Sequence, residues 1–403
     1  MGALCAAPRG GAFRYADRHS DMSKTVVSYQ SPQAASVAGK RYFYTLDAMR
    51  GIAAIGVVCL HLHPLLAPYD VPHGYLAVDF FFALSGLVIS RANAERFHRG
   101  LTLGKFMFLR LERLYPLYIL GSLIGAASLL LPYALHPELP TPWLVLSISG
   151  ISALLMLPSH WPDGGKPWLM PLNIAAWSLV LELAVNFLYA LCWRWLGRRG
   201  LPAVIVASGA LLILVALANG NLDLGATWPT VAGGMVRTCF SFFVGVAIGR
   251  VSVAEVRISP IALLLPAILF LTLLAGNGGG VAYDLVCAMA IYPALLFMGA
   301  RYEASGCEAI GAVGLRFLGT ISYALYVLHG PVLVIANRLI LKYGTRLALE
   351  RHISAFAILC GLITLSALAE AYYDQPFRVR LALLREGLSG LRGARLKHST
   401  QSG

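Results

Sequence analysis

Arg50 and His61 stand at the two ends of one apolar run, Gly-Ile-Ala-Ala-Ile-Gly-Val-Val-Cys-Leu. On an α-helix that separation is three turns, about 16 Å at 1.5 Å per residue. It sets a guanidinium near one membrane face and a titratable imidazole toward mid-bilayer. Ionisable groups in such a segment are costly, face a cavity or a partner, and are functional candidates by default. An imidazole with an unperturbed pKa of about 6.5 can accept a hydroxyl proton near neutral pH, so His61 reads as a general base. The simpler alternative is a hydrogen bond to a neighbouring helix. His63, nearer the interface, is secondary.

A second cluster follows: Arg91, Arg96, Arg99 and Lys105, then Phe-Leu-Arg110-Leu-Glu-Arg113-Leu-Tyr-Pro116. Arg110 and Arg113 are three residues apart and share a helical face. Guanidinium forks grip phosphate bidentately, so this pair suits a phosphorylated ligand, whereas Arg91, Arg96 and Arg99 read as membrane-anchoring charge. Asp79, beside Phe80, Phe81 and Phe82 and ahead of Ser85-Gly86, needs an arginine or hydroxyl partner. Glu182 is the only acid in a run of nearly twenty apolar residues after Trp177-Ser178. It is expected to share His61's interior space and stabilise the imidazole. Further on, Ser322, Tyr326 and His329 fall at helical spacing on one face, beside Tyr323. Tyr373-Asp374-Gln375-Pro376 is expected to close the last helix, with Glu370 one turn earlier.

The elements that must hold these groups are set by composition. With 58% hydrophobic and 13% charged residues and a mean hydropathy of +0.70, the chain is unlike soluble domains, which carry about 25% charge. The expected fold is all-α, a polytopic membrane bundle of about ten spanning helices. They are placed near 45–66, 75–91, 114–132, 176–194, 201–218, 229–249, 259–275, 281–299, 317–340 and 353–372. The stretch 143–158, short and flanked by Pro142 and Pro158, is expected to be interfacial or re-entrant.

The net charge of +13 does not point to nucleic acid, because the basic residues are not patched with aromatics. The N-terminal tail, 91–113, 194–199, 250–257, 301–316 and the tail from 374 hold 25 of the 32 Lys and Arg residues. By the positive-inside rule both termini are cytoplasmic. Residues 1–44 read as a disordered cytoplasmic extension without a cleavable signal peptide, 45–376 as the membrane domain and 377–403 as a basic cytoplasmic tail. The seven cysteines show neither metal-ligand spacing nor a disulfide framework, and no metal site is expected.

Taken in order, these blocks resemble the acyltransferase-3 family of integral membrane O-acyltransferases over roughly residues 45–380. The carrying motifs are Arg50 with His61, Asp-Phe-Phe-Phe with Ser-Gly, Arg110/Arg113/Pro116, Trp-Ser-Leu with Glu182, Ser-Tyr to His329, and the acid before Pro376. The chain departs in having one glutamate after Trp177 where many relatives have two, and Asp374 for the commoner Glu. The resemblance implies an inward-facing site for acyl-coenzyme A, with no permanently bound cofactor, and a glycan acceptor met at or beyond the outer face. His61 and Glu182 would be catalytic, with Arg50, Arg110 and Arg113 near the coenzyme's phosphates. Asp79, Trp177, Tyr323 and His329 would contact substrate. No esterase-like domain is expected after 377.

The implied activity is acyl transfer, most simply acetyl, from acyl-coenzyme A to a hydroxyl of a cell-envelope or exported polysaccharide at a bacterial inner membrane. An acyl-enzyme on Ser85 or Tyr323 lacks an evident neighbouring base in the sequence. The competing class is a transporter or flippase for a lipid-linked glycan or proton-coupled solute, with His61 and Glu182 as a relay. No internal repeat or matched pair of broken helices supports it.

Overall fold

A backbone in hydrocarbon must satisfy its own hydrogen bonds, so long apolar runs become helices. The computed structural model describes residues 43–135, 143–159, 167–251, 257–275, 280–303, 310–347 and 350–384. The extension 1–42 and residues 385–403 of the tail lie outside them. Each of the ten expected runs is built around a helix. In chain order these are α1 (Tyr44–His61), α2 (Ala77–His98), α3 (Leu103–Leu135), the extra α4 (Trp143–Leu154), α5 (Trp177–Cys192), α6 (Gly200–Asn219), α7 (Val231–Val251), α8 (Ile261–Leu274), α9 (Gly280–Arg301), α10 (Ile310–Leu347) and α11 (Arg351–Ala369). Eight of the described helices are long and apolar enough to cross a membrane. Of the expected ten, α8, at 14 residues, is too short for that measure, and α1, long enough at 18 residues, carries Asp47, Arg50 and His61 and is not apolar enough. The stretch at 143–158 forms the 12-residue α4, about 18 Å long and too short for a crossing of about 30 Å. The protein is an all-α membrane bundle; its described strands are the two-residue pair Arg257–Ile258 and Tyr302–Glu303.

Two boundaries differ from expectation, and both matter to the site. The third run was expected from 114, yet α3 begins at Leu103, so Arg110 and Arg113 ride on the spanning helix itself. Charged residues lower window hydropathy without disfavouring helix, because Arg, Lys and Glu are good helix formers. The last helix does not close at Asp374. A π-turn over Glu370–Asp374 carries it on to residue 384. The wider turn leaves Pro376 free to follow without an amide donor.

Small residues bring the helices together. α2 packs along α7, and α1 along α10. A Cβ on Gly86 would lie 2.0 Å from the Phe242 carbonyl oxygen, and one on Gly245 would lie 1.8 Å from that of Ala83. Gly51 meets Leu318 and Gly319 meets Asp47 in the same way, at 2.7 and 2.6 Å. Such close backbone approach is how membrane helices gain packing energy where no hydrophobic effect separates helix from lipid. The start of α1 is tied down by Glu303, whose Oε2 accepts from the Thr45 amide and hydroxyl at 3.2 and 3.1 Å. A carboxylate there also complements the helix dipole.

Candidate active site

Five helices surround a cavity of about 140 Å³. α1 contributes Arg50, α3 Arg110 and Arg113, α5 Ser178 and Glu182, α10 Ser322, Tyr323 and Tyr326, and α2 Ser85 among apolar neighbours such as Phe81, Phe82 and Val88. The close α1–α10 crossing lets Arg50 reach the Gly319 carbonyl at 2.5 Å, while its own Asp47 sits at 3.0 Å. Arg110 donates to Glu182 Oε1 at 2.7 Å, and the Ser85 hydroxyl donates to the same oxygen at 2.6 Å. The Nε atoms of Arg50 and Arg110 are buried without a hydrogen-bond partner among the described residues. Arg113 makes no hydrogen bond or ion pair among the described residues, and the charges of Arg50, Arg110 and Arg378 act on it, opposed by that of Glu182. Several like charges around one space, with guanidinium nitrogens left over, form a cradle for a polyanion. Tyr323 lines this space with its hydroxyl donated to the Leu114 carbonyl at 2.5 Å.

His61 is not at this cavity. It is exposed at the far end of α1, its ring 4.9 Å from that of His329 and tilted by 60°. His61 Nδ1 lies 2.9 Å from the Val57 carbonyl and His329 Nδ1 lies 2.6 Å from the Tyr326 carbonyl. A carbonyl only accepts, so each Nδ1 carries the proton and each Nε2 presents its lone pair. Tyr326 separates the two regions. Its hydroxyl bonds Ser178 at 2.7 Å on the cavity side. Its ring stands edge-on to His329 at 5.7 Å and to Phe81 at 5.6 Å.

The expected pairing of Glu182 with His61 is therefore corrected. Glu182 is held by Arg110 and Ser85, because α3 and α5 approach at the level of the cavity, while the partner of His61 is His329. Ser85, expected to lack a base, donates to a carboxylate. Asp79 finds its arginine, in Arg237 of α7: Nη2 reaches Asp79 Oδ2 at 2.6 Å and Nε reaches Oδ1 at 3.3 Å. This pair is almost wholly buried and does not line the cavity. Trp177 is also packed away, its ring edge-on to Phe82 at 6.4 Å and pressed against Gly225. With φ +124° and a Cβ position 2.2 Å from the indole, Gly225 is a place only glycine fits.

Two buried polar groups escaped the sequence reading. Arg237 is the one cation between residues 229 and 249, and Asp284 the one acid between 281 and 299. An intramembrane charge is itself the signal that would have found them. Asp284 accepts from the Tyr75 hydroxyl at 2.8 and 2.9 Å and from the Leu222 amide at 2.8 Å, with His73 Nδ1 at 3.4 Å. Near the other end of the bundle, Arg378 pairs with Glu370 at 2.6 Å and Asp374 at 2.5 Å.

Residues 43–371, which supply every residue of the cavity and of the histidine pair, match the family described as the acyltransferase domain. The chain belongs to the acyltransferase-3 family. The chain is also similar to Protein 2 in picA locus of Rhizobium radiobacter, 37% identical over 195 residues, covering 44% of this chain and 95% of that protein. O-acetyltransferase OatA of Staphylococcus aureus is 23% identical over 335 residues, 74% of this chain and 51% of OatA. The chain thus spans about half the length of OatA. No solved structure matches the chain.

Proposed function

We propose that this family member is an inner-membrane O-acyltransferase that moves an acetyl group from acetyl-coenzyme A to a hydroxyl of a cell-envelope or exported polysaccharide. The observation that carries the reading is the cavity itself, where Arg50, Arg110 and Arg113 converge and Arg113 makes no hydrogen bond or ion pair among the described residues. The coenzyme's phosphates would lie against these three arginines, on the cytoplasmic side.

His61 is placed as the base for the acceptor. Its Nε2 takes the hydroxyl proton, the oxygen forms a bond to the thioester carbonyl carbon, and the carbon–sulfur bond breaks with its electron pair on sulfur. The thiolate then takes up a proton to leave as coenzyme A. General-base help of this kind contributes typically about 10²–10⁴-fold. Glu182, held by Arg110 and Ser85, shapes the arginine cradle rather than the imidazole. The same contacts argue against a proton relay from His61 to Glu182, on which a transporter would depend.

Turnover of radiolabelled acetyl-coenzyme A by the detergent-purified protein, with a cell-envelope glycan fraction as acceptor, tests the proposal. Label should reach glycan with wild type and not with His61→Ala. Equal transfer by both proteins, or by neither when both are folded, would refute it.

A further inference from the structure

A base that takes up a proton gains a second N–H, and an acceptor already fixed beside it holds the new charge in one orientation. Glu182 cannot serve, since Arg110 and Ser85 hold the Oε1 at 2.7 and 2.6 Å and the side chain lies at the cavity. Val57 already receives the other ring nitrogen of His61. What faces His61 is a second imidazole, His329, 1% exposed and 4.9 Å away between centroids. Its Nδ1–H is fixed on the Tyr326 carbonyl at 2.6 Å, so its Nε2 is a lone-pair acceptor. That Nε2 is buried and has no hydrogen-bond partner among the described residues. Buried acceptors are almost always satisfied, and an orphan is a place to look for function.

We propose that His329 is a positioning residue for acyl transfer, whose Nε2 accepts a hydrogen bond from His61 Nε2–H once His61 has taken the acceptor's proton. This rests on reading His61 as the base. The proton stays on His61 until the departing thiolate takes it up, so His329 begins and ends the cycle neutral. The resting tautomers make the two Nε2 atoms mutually unbonded, because neither has a proton to donate. Protonation of His61 creates the donor, so the bond exists only while charge is present. An interaction made in that state and absent in the ground state raises turnover rather than substrate binding. Tyr326 couples the pair to the cavity: its carbonyl sets the His329 tautomer, and its hydroxyl sits on Ser178 among the cavity groups.

The test compares His329→Leu, which removes the acceptor, with His329→Gln, whose side-chain oxygen restores one, in the full-length purified protein. Acetyl-coenzyme A turnover with the glycan fraction is measured beside thermal melts of each variant and of His61→Ala. His329→Leu should lower kcat about 100-fold, at the low end of what a general base contributes, with the acetyl-coenzyme A KM unchanged. His329→Gln should recover most of that loss. Equal kcat for the two variants, high or low, overturns the proposal while leaving His61 as the base. Full activity in His61→Ala instead removes the underlying reading, and this inference with it. If His329→Leu does not fold, His329→Met takes its place as the variant without a strong acceptor, and the same contrast with His329→Gln decides.

Discussion

Arg237 and Arg113 are both arginines on membrane-spanning helices, and their surroundings could hardly differ more. Arg237 is fully buried and every nitrogen is bonded: two to Asp79, one to the Leu224 carbonyl at 2.8 Å, with Nη2 also on the Tyr75 carbonyl at 3.0 Å. Arg113 faces the cavity and is bonded to nothing among the described residues. Four of the first one's five N–H donors are spent within the bundle, and its role is to tie α7 to α2. The second keeps its full donor set for something that arrives from outside. Arg237 is buried and engaged at every nitrogen, whereas Arg113 is exposed, so partner satisfaction and burial together separate the structural membrane cation from the one open to a ligand.

Removing partners should break the two regions differently. The largest effect is expected for Arg237→Leu, which strands Asp79 as a buried unpaired carboxylate. That costs about 3–5 kcal/mol and should appear as a collapse of the thermal melt or a failure to purify folded protein. Adding Asp79→Leu should recover much of the loss, since an apolar pair of similar volume replaces a buried ion pair at little cost.

Glu182→Gln comes next. It removes the charge from a carboxylate that two donors share, at a site where Arg110 and Glu182 are only 14% and 16% exposed. Hydrogen bonds to charged groups contribute about 1.5–3 kcal/mol, so a smaller drop in melting temperature is expected, together with altered coenzyme affinity.

Arg113→Ala should leave the melt of the unliganded protein in place and weaken coenzyme A protection. One lost charge-assisted contact of about 1.4 kcal/mol corresponds to about tenfold in affinity. A large loss of intrinsic stability instead would place Arg113 with Arg237 and erase the contrast. At the small end, Arg99→Ala breaks an exposed pair with Glu95 at 3.0 Å. Exposed pairs contribute about 0.2–1 kcal/mol, so neither melting nor activity should shift measurably.

The positions of the helices were legible because an apolar run long enough to span hydrocarbon leaves the backbone few alternatives. The boundaries were less so: α3 starts eleven residues before its apolar run, and the last helix passes through Pro376. Arg50, Arg110, Arg113, Tyr323 and Glu182 do line one cavity; helical spacing had marked Arg110 and Arg113, isolation in an apolar run had marked Glu182, and Arg50 and Tyr323 stood in motifs shared with the family. Asp79 and Trp177 carried equally prominent motifs, yet they pack into the bundle. Motif position does not reveal whether a side chain meets space or another helix.

From its own order the sequence determined the membrane class, the helical runs and the ionisable groups within them, because those follow from local hydropathy and periodicity. Tertiary structure alone decided the partners. Glycine-lined crossings set which helices approach, and at what height along the bundle. That height assigned Glu182 to Arg110, Asp79 to Arg237 and His61 to His329, pairs separated by 72, 158 and 268 residues in the chain. No local rule links residues so far apart, and only the packing of their helices brings them within reach.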